Sequence, residues 1–338
     1  MKKQFKVMRV FPRGSRNISA EDAQELAKMN AELMGADCTT EDEVIEAAKD
    51  ADIILTSQVP FTRRVIEALP KCKVIIRTGV GYDEIDVDAA TDNSIIVANF
   101  PSPDWCVEEM SNHAIVLLLA CAKNLVLLNN AVKQGRWGKN MPAIKQMVPV
   151  HGQTLGVIGC GSIGRMIAQK AQCFSLRVLG YDPYVDKSLA KEYGITLVSL
   201  PRLLKEADFV SVSALLNKET WHLMGEKEFK QMKPTAYFIN AARGPIVDEP
   251  ALIKALQEKW IAGAGLDVFE KEPLDSDSPL LKMDNVVVTP HTGSGSDTAP
   301  KQARIVMMRE LSRVLSGQWP TTVVNKSVKP KVSLVKES

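Results

Sequence analysis

Through the first hundred residues, short apolar runs alternate with segments of helical period. Phe5 to Val10, Asp52 to Thr56, Val74 to Arg77 and Ile95 to Ala98 are apolar runs of strand length. Between them Ala20 to Met34 and Thr62 to Leu69 read as helices. Ser19 stands at the N-cap position of the first with Gly35 just past its end, and Pro70 stops the second. A strand covered on both faces is continuously apolar rather than alternating, and strands separated by helices pair in parallel.

Pro101 and Pro103 break this alternation. A helix from Val107 to Lys123 follows, too long and too one-sided to serve only as a connector. A second α/β series then opens at Thr154. Its strands are Leu155 to Ile158, Arg177 to Tyr181, Phe209 to Ser211, Ala236 to Asn240, Gly263 to Val268 and Val286 to Thr289. A helix spans Ile163 to Phe174, and a last one, Ala303 to Ser316, lies beyond the final strand. With 338 residues the chain is too long for one typical core, so two domains are expected. The crossings between them, at Pro101 and Pro103 and near Gly293–Gly295, are expected to act as hinges.

Composition changes this picture little. Hydrophobic residues make up 45% and charged residues 24%, and 42 basic against 40 acidic residues leave a net charge of +2. Neither nucleic acid nor an anionic membrane is called for as a partner. Lys133, Arg136 and Lys139 are too spaced for a basic patch, and the tail after Asn325, with Lys326, Lys329, Lys331 and Lys336, reads as a solvated, frayed terminus. The start of the chain lacks the apolar core of a signal peptide, and Ala114 to Ala122 is too short to cross a bilayer. Cysteines 38, 72, 106, 121, 160 and 173 show no C-x-x-C spacing and no metal-ligating cluster, as expected of reduced thiols in a cytoplasmic protein that binds no metal.

Gly159-Cys160-Gly161-Ser162-Ile163-Gly164 is a G-x-G-x-x-G between an apolar strand and a helix. The first glycine permits a tight turn, the second lets a pyrophosphate approach the backbone, and the third lets helix and strand pack closely. N–H groups near Ser162 and Ile163 meet the phosphate charge. Asp182 ends the next strand, at the distance where an acid reaches the adenosine ribose hydroxyls. A carboxylate there repels a 2′-phosphate, so NAD is favoured over NADP. The same acid could equally cap the turn before Pro183.

Three later segments each place a charged residue at or just beyond a strand end: Asn240-Ala241-Ala242-Arg243-Gly244, Gly265 to Pro273 with Glu272, and Val288-Thr289-Pro290-His291. Ligands of open parallel sheets bind beyond the carboxyl ends of the strands. There a guanidinium can grip a carboxylate in a fork, an imidazole can move a proton to or from an oxygen, and a carboxylate can hold that imidazole. Singly, Arg243 could cap carbonyls, Glu272 could be a solvated turn acid and His291 could be structural. Beside a dinucleotide loop the joint chemical role outweighs these.

With these segments and with Arg77-Thr78-Gly79-Val80-Gly81-Tyr82-Asp83-Glu84-Ile85-Asp86, the chain resembles the D-isomer-specific 2-hydroxyacid dehydrogenase family over nearly its whole length. Cys106-Val107-Glu108-Glu109 and Tyr181-Asp182-Pro183-Tyr184 are closest to its C-terminal-binding-protein-like subgroup, with phosphoglycerate dehydrogenases as other near relatives. The resemblance implies an α/β fold of two Rossmann-like parallel-sheet domains with a cleft between them. Residues 1–104 and 296–338 would form a discontinuous substrate-binding domain and residues 105–295 the NAD-binding domain. It implies an NAD-dependent dehydrogenase that moves a hydride between the nicotinamide and C2 of a small 2-oxo or 2-hydroxy acid, in a homodimer built through the long helix. Arg243 would bind the substrate carboxylate and oxo oxygen, His291 would be the general acid/base, and Glu272 would pair with it. Gly159, Gly161, Ser162, Ile163, Gly164, Asp182, Ala241, Arg243, Asp267 and His291 would contact the cofactor, with Asp267 on the nicotinamide carboxamide. Val80, Gly81 and Ser57 would contact the substrate.

Some positions depart from the family pattern. Ser213-Ala214-Leu215 stands where His-x-Pro is common, Met110 where a small polar residue is frequent, and Ser294 where the subgroup's corepressors carry Trp. Two alternatives therefore stand beside the enzyme: an NAD-sensing interaction protein of corepressor type, and an oxidoreductase of formate or phosphite. Retention of the Glu–His pair argues against formate. Substrate choice is assigned to Ser57-Gln58-Val59-Pro60 with help from Met141 to Ile144. This region has no obvious basic cluster, although Arg63 and Arg64 are near, which favours an unphosphorylated acid such as glyoxylate or hydroxypyruvate.

Overall fold

The structure is a computed structural model that describes residues 4–14, 18–100, 104–138, 141, 144 and 147–335. Pro101, Pro103, Lys139, Pro142, Ala143 and Lys336, which figure in the sequence reading, lie outside the described residues. The chain divides into two compact units, Met1–Pro103 with Asp297–Ser338, and Asp104–Ser296.

The first unit is built on five parallel strands: β1 (Phe5–Pro12), β2 (Ala31–Cys38), β3 (Ile53–Thr56), β4 (Val74–Arg77) and β5 (Ile96–Asn99). Their order is β2-β1-β3-β4-β5. The apolar runs read from the sequence form β3 and β4 at the centre, where Ile53, Ile54, Leu55, Val74, Ile75 and Ile76 are all buried. One element differs. The helix expected over Ala20 to Met34 ends at Lys28, capped at its start by the Ser19 hydroxyl as anticipated. Asn30 adopts a left-handed φ of 59°, and Ala31 onward pairs with β1 from Phe5↔Ala31 to Pro12↔Cys38. Gly35 is thus a strand residue and not a helix stop. The apolar spacing suited either state, and a long ladder with β1 decided it. The helix Glu41–Ala48, unread in the sequence, begins with a reciprocal Thr40/Glu43 capping box.

The last helix, Ala299–Leu315, starts earlier than expected and packs its Val306, Met307, Leu311 and Val314 with Val7, Ile53, Val74 and Ile96. The tail beyond it is not frayed over its described length. Val323 bridges Ala98, Asn325 accepts the Val97 amide at 2.8 Å, Val328 is buried, and Trp319 donates to the Leu334 carbonyl at 3.0 Å. The apolar residues between the lysines dock the segment.

The second unit has seven parallel strands: β6 (Thr154–Ile158), β7 (Arg177–Tyr181), β8 (Thr196–Leu197), β9 (Phe209–Val212), β10 (Tyr237–Asn240), β11 (Gly263–Leu266) and β12 (Val286–Val288). The order is β12-β11-β10-β9-β6-β7-β8. The two-residue β8 and the helices Leu125–Lys133, Lys187–Glu192, Leu200–Glu206, Glu226–Phe229 and Glu249–Gln257 were not read from the sequence. The long helix runs from Asp104 to Ala122 and buries Ala114, Leu117, Leu118 and Cys121 with Leu155, Val157 and Ile239 of the sheet. Among the described residues no single helix is long and apolar enough to cross a membrane. From β6 the chain runs outward to β7 and β8, then returns to β9 on the other side of β6. This reversal opens a crevice at the carboxyl ends of β6 and β9.

Candidate active site

The glycine loop lies at that reversal. Gly159 has φ +89°, and a Cβ there would stand 2.5 Å from the Ala214 amide nitrogen. A Cβ at Gly164 would stand 2.0 Å from the Gly159 carbonyl oxygen, so only glycine lets the helix Ser162–Cys173 pack on its own turn. At Gly161 a Cβ would meet nothing within 4 Å, which leaves open space over the loop. The first backbone bond of the helix runs from the Arg165 amide to the Gly161 carbonyl, at 3.0 Å. The amides of Ser162, Ile163 and Gly164 precede it and are available to an anion. The loop fits a dinucleotide pyrophosphate.

Asp182, at the end of β7, accepts the Cys160 amide at 2.8 Å with one oxygen, and the Tyr184 and Val185 amides at 2.8 and 3.0 Å with the other. It therefore does cap the turn at Pro183, and it also ties that turn to the glycine loop. Ser213, after β9, donates its amide to the Ile158 carbonyl at 2.7 Å, and its hydroxyl is buried without a partner among the described residues.

At the end of β10 Asn240 folds the next turn on itself. Its amide group donates to the Arg243 carbonyl at 2.9 Å, and its side-chain oxygen accepts the Ala242 amide at 3.0 Å. Ala241 is buried, and the Arg243 guanidinium donates to the Ala242 carbonyl at 2.9 Å. A clamp not read from the sequence joins this region to the loop after β11. Glu270 accepts the Glu249 amide at 3.1 Å, Glu249 accepts the Glu270 amide at 3.0 Å, and His222 lies 2.8 Å from the other Glu270 oxygen.

Glu272 and His291 are brought together, Oε2 standing 2.7 Å from Nδ1. The other Glu272 oxygen accepts the Phe269 amide at 3.1 Å. Burial pushes the Glu272 carboxyl upward. The His291 hydrogen bond, the Phe269 amide and the nearby charges of His291 and Arg243 more than offset this and hold it below its ordinary range. His291 has a left-handed φ of 52°, and its amide donates to the Asp267 carbonyl at 2.8 Å.

Asp267 is fully buried. One carboxylate oxygen accepts the Thr289 hydroxyl at 2.6 Å and the Thr292 amide at 2.9 Å, and the other accepts the Gly293 amide at 2.8 Å. Burial alone would raise its pKa, but the donors, with His113 first among them, hold it low. His113 was not singled out in the sequence, because no motif marks it: it is one residue within a long apolar helix.

Val80, Gly81 and Ser57 belong to the first unit and lie together at the carboxyl ends of β3 and β4. The Thr78 amide donates to the Thr56 carbonyl at 2.8 Å, and the Asn99 side chain donates to the Val80 carbonyl at 2.5 Å. Arg77, also at the end of β4, pairs with Glu84 at 3.0 Å. Among the described residues no group of three or more His, Cys, Asp or Glu side chains could hold a metal ion.

Comparison with known proteins agrees with this arrangement. Residues 15–114 match the catalytic domain of the D-isomer specific 2-hydroxyacid dehydrogenases, and residues 115–293 match their NAD-binding domain. The chain is 40% identical over 287 residues to a glyoxylate reductase of Korarchaeum cryptofilum, covering 84% of this chain and 86% of that protein. It is 39% identical over 307 residues to a D-3-phosphoglycerate dehydrogenase of Methanocaldococcus jannaschii, covering 90% of this chain but only 57% of that one. The crystal structure of a glyoxylate reductase from Paecilomyes thermophila superposes with a TM-score of 0.85 at 28% identity, covering 96% of this chain and 99% of that one. With both halves of the family matched in order and the dinucleotide loop in place, the chain belongs to the D-isomer specific 2-hydroxyacid dehydrogenases, NAD-dependent oxidoreductases of the hydroxyacid CH–OH group.

Proposed function

We propose that this dehydrogenase works as an NADH-dependent reductase of a small, unphosphorylated 2-oxo acid such as glyoxylate or hydroxypyruvate. The first unit holds the substrate and the second holds the dinucleotide. The observation that carries the reading is the 2.7 Å contact between Glu272 and His291, in the unit that also contains the glycine loop. Bound NADH supplies the hydride to C2. His291 gives a proton to the C2 oxygen as negative charge develops there, and Glu272 holds the imidazole by Nδ1, which leaves Nε2 for the substrate. Arg243 grips the substrate carboxylate and oxo oxygen in a fork. Val80, Gly81 and Ser57 complete the substrate seat. Gly159, Gly161, Ser162, Ile163 and Gly164 receive the pyrophosphate, Asp182 the adenosine ribose, and Ala241, Arg243, Asp267 and His291 the nicotinamide side.

The preference for an unphosphorylated acid draws support from the basic residues after Ser57-Gln58-Val59-Pro60. Arg63 is paired with Asp92 at 3.0 Å, and Arg64 with Glu41 at 2.8 Å and with Asp42. Both already face carboxylates. The name of the Korarchaeum relative points the same way. An intact Glu–His pair weighs against a purely binding, corepressor-like role and against formate oxidation. A homodimer is supported by exposed Val116 on the long helix and exposed Leu125, Val126, Val132 and Trp137 after it, apolar side chains that a second copy would cover. A cytoplasmic location fits cysteines that form no disulfide.

The test is NADH oxidation with glyoxylate, hydroxypyruvate, pyruvate and 3-phosphohydroxypyruvate. The first two should be reduced best. Failure of the whole panel would end the reading, and a clear preference for the phosphorylated acid would overturn its substrate half.

A further inference from the structure

We infer that His113 is a positioning residue for catalysis, acting on His291 through Thr289 and Asp267. His113 Nε2 lies 2.9 Å from the Thr289 hydroxyl oxygen and 3.3 Å from an Asp267 carboxylate oxygen. That hydroxyl in turn lies 2.6 Å from the same carboxylate oxygen. A hydroxyl has one hydrogen, and an ionised carboxylate can only accept. The Thr289 hydrogen is therefore committed to Asp267, and His113 Nε2 must carry the proton it donates toward both. The geometry fixes the tautomer.

The consequence lies in the turn from Thr289 to Gly293. Asp267 sits beneath it, fully buried, and a buried carboxylate stays ionised only while donors surround it. Three of its donors, the Thr289 hydroxyl and the Thr292 and Gly293 amides, belong to the turn itself. Among the described residues His113 is the one donor from another element, so it ties the turn to the helix Asp104–Ala122. One helical turn earlier Met110 packs on the same loop: a Cβ at Gly293 would stand 3.0 Å from its sulfur. His291, in the middle of the turn, holds a left-handed φ of 52° that a non-glycine residue keeps only where its surroundings over-determine it. Without the His113 bond the turn loses its hydrogen-bonded tie to the helix Asp104–Ala122, and the imidazole drifts from its reactive position.

The inference rests on the proton-donor role proposed for His291, and the variants separate the two. His113→Leu should lower kcat for reduction about tenfold or more, since a misplacement of about 1 Å can cost ~10²-fold. KM and the NADH dissociation constant, read by nucleotide fluorescence, should stay within about twofold. His113→Gln keeps a donor nitrogen and should recover most of kcat. Thr289→Val removes the hydroxyl relay and should reproduce the loss, and the double variant should be no worse than either single one. Wild-type kcat in His113→Leu or Thr289→Val, no rescue by Gln, or losses that simply add would each overturn the inference. So would a KM and an NADH dissociation constant that rise as kcat falls. If His113→Leu does not fold, Thr289→Val and His113→Gln carry the same test. A His291→Asn enzyme that keeps full activity would instead remove the proton-donor reading itself. A dead His291→Asn beside a fully active His113→Leu would remove only the positioning role.

Discussion

Glu272 holds His291 with one carboxylate oxygen at 2.7 Å while the other takes the Phe269 amide at 3.1 Å. The carboxylate is thus aimed by its own loop before it meets the imidazole. Its pKa is depressed, so the pair is intact above the ordinary carboxylate range and is lost only as pH falls through the lowered value. Reduction should hold its rate down through pH of about 4.3, the unperturbed glutamate value, and decline below it. Glu272→Gln should cost kcat and abolish the acid-side decline. An acid limb unchanged in that variant would show that another group titrates there.

Arg243→Lys should damage turnover severely, because an ammonium is a point charge that cannot reproduce a fork. Loss of one charge-assisted contact that strengthens in the transition state is worth roughly 2–4 kcal/mol, or about 30- to 1,000-fold in kcat/KM. Steady-state kinetics of NADH oxidation would measure it. Near-normal kcat/KM for the lysine variant would take Arg243 out of the site.

Asp182→Ala should weaken NADH binding and improve the relative affinity for NADPH. Two effects combine: the repulsion of a 2′-phosphate disappears, and the amides of Cys160, Tyr184 and Val185 lose their acceptor. Titration of both nucleotides by fluorescence reads the ratio directly. A wild-type protein that already prefers NADPH would contradict the assignment.

The docked tail makes a stability prediction. Asn325 accepts the Val97 amide at 2.8 Å and donates to the Ile95 carbonyl at 2.9 Å, in a buried position. Asn325→Ala strands both backbone groups, which costs about 1–3 kcal/mol each when they stay dry. Urea denaturation should show a lower midpoint for the first unit, while NADH affinity, a property of the second, should be unchanged. An unaltered midpoint would mean that water replaces the side chain.

Much of the chemistry was legible in the sequence because it depends on residues close along the chain. The glycine loop, its flanking strand and helix, and Asp182 fall within about thirty residues, close enough for spacing to point to the dinucleotide chemistry. The central strands were legible for a related reason: a run such as Ile53 to Leu55 is too apolar to lie anywhere but inside. Arg243, Glu272 and His291 could be named by type and by their places at strand ends, but their mutual geometry could not.

What only the tertiary structure decided involves partners far apart in the chain. Ala31 to Cys38 carries a pattern compatible with a helix, and it became β2 because β1 offered it a full ladder. The tail became ordered because Asn325 found the backbone of Ile95 and Val97, more than two hundred residues away. His113 reached Thr289 and Asp267 in the same manner, and Glu249 reached Glu270. Local sequence sets which residues can form an element or carry a charge. Whether a buried polar group finds the partner that makes its burial tolerable is settled only when distant segments pack together, because water no longer competes there and each donor must meet an acceptor within hydrogen-bond reach.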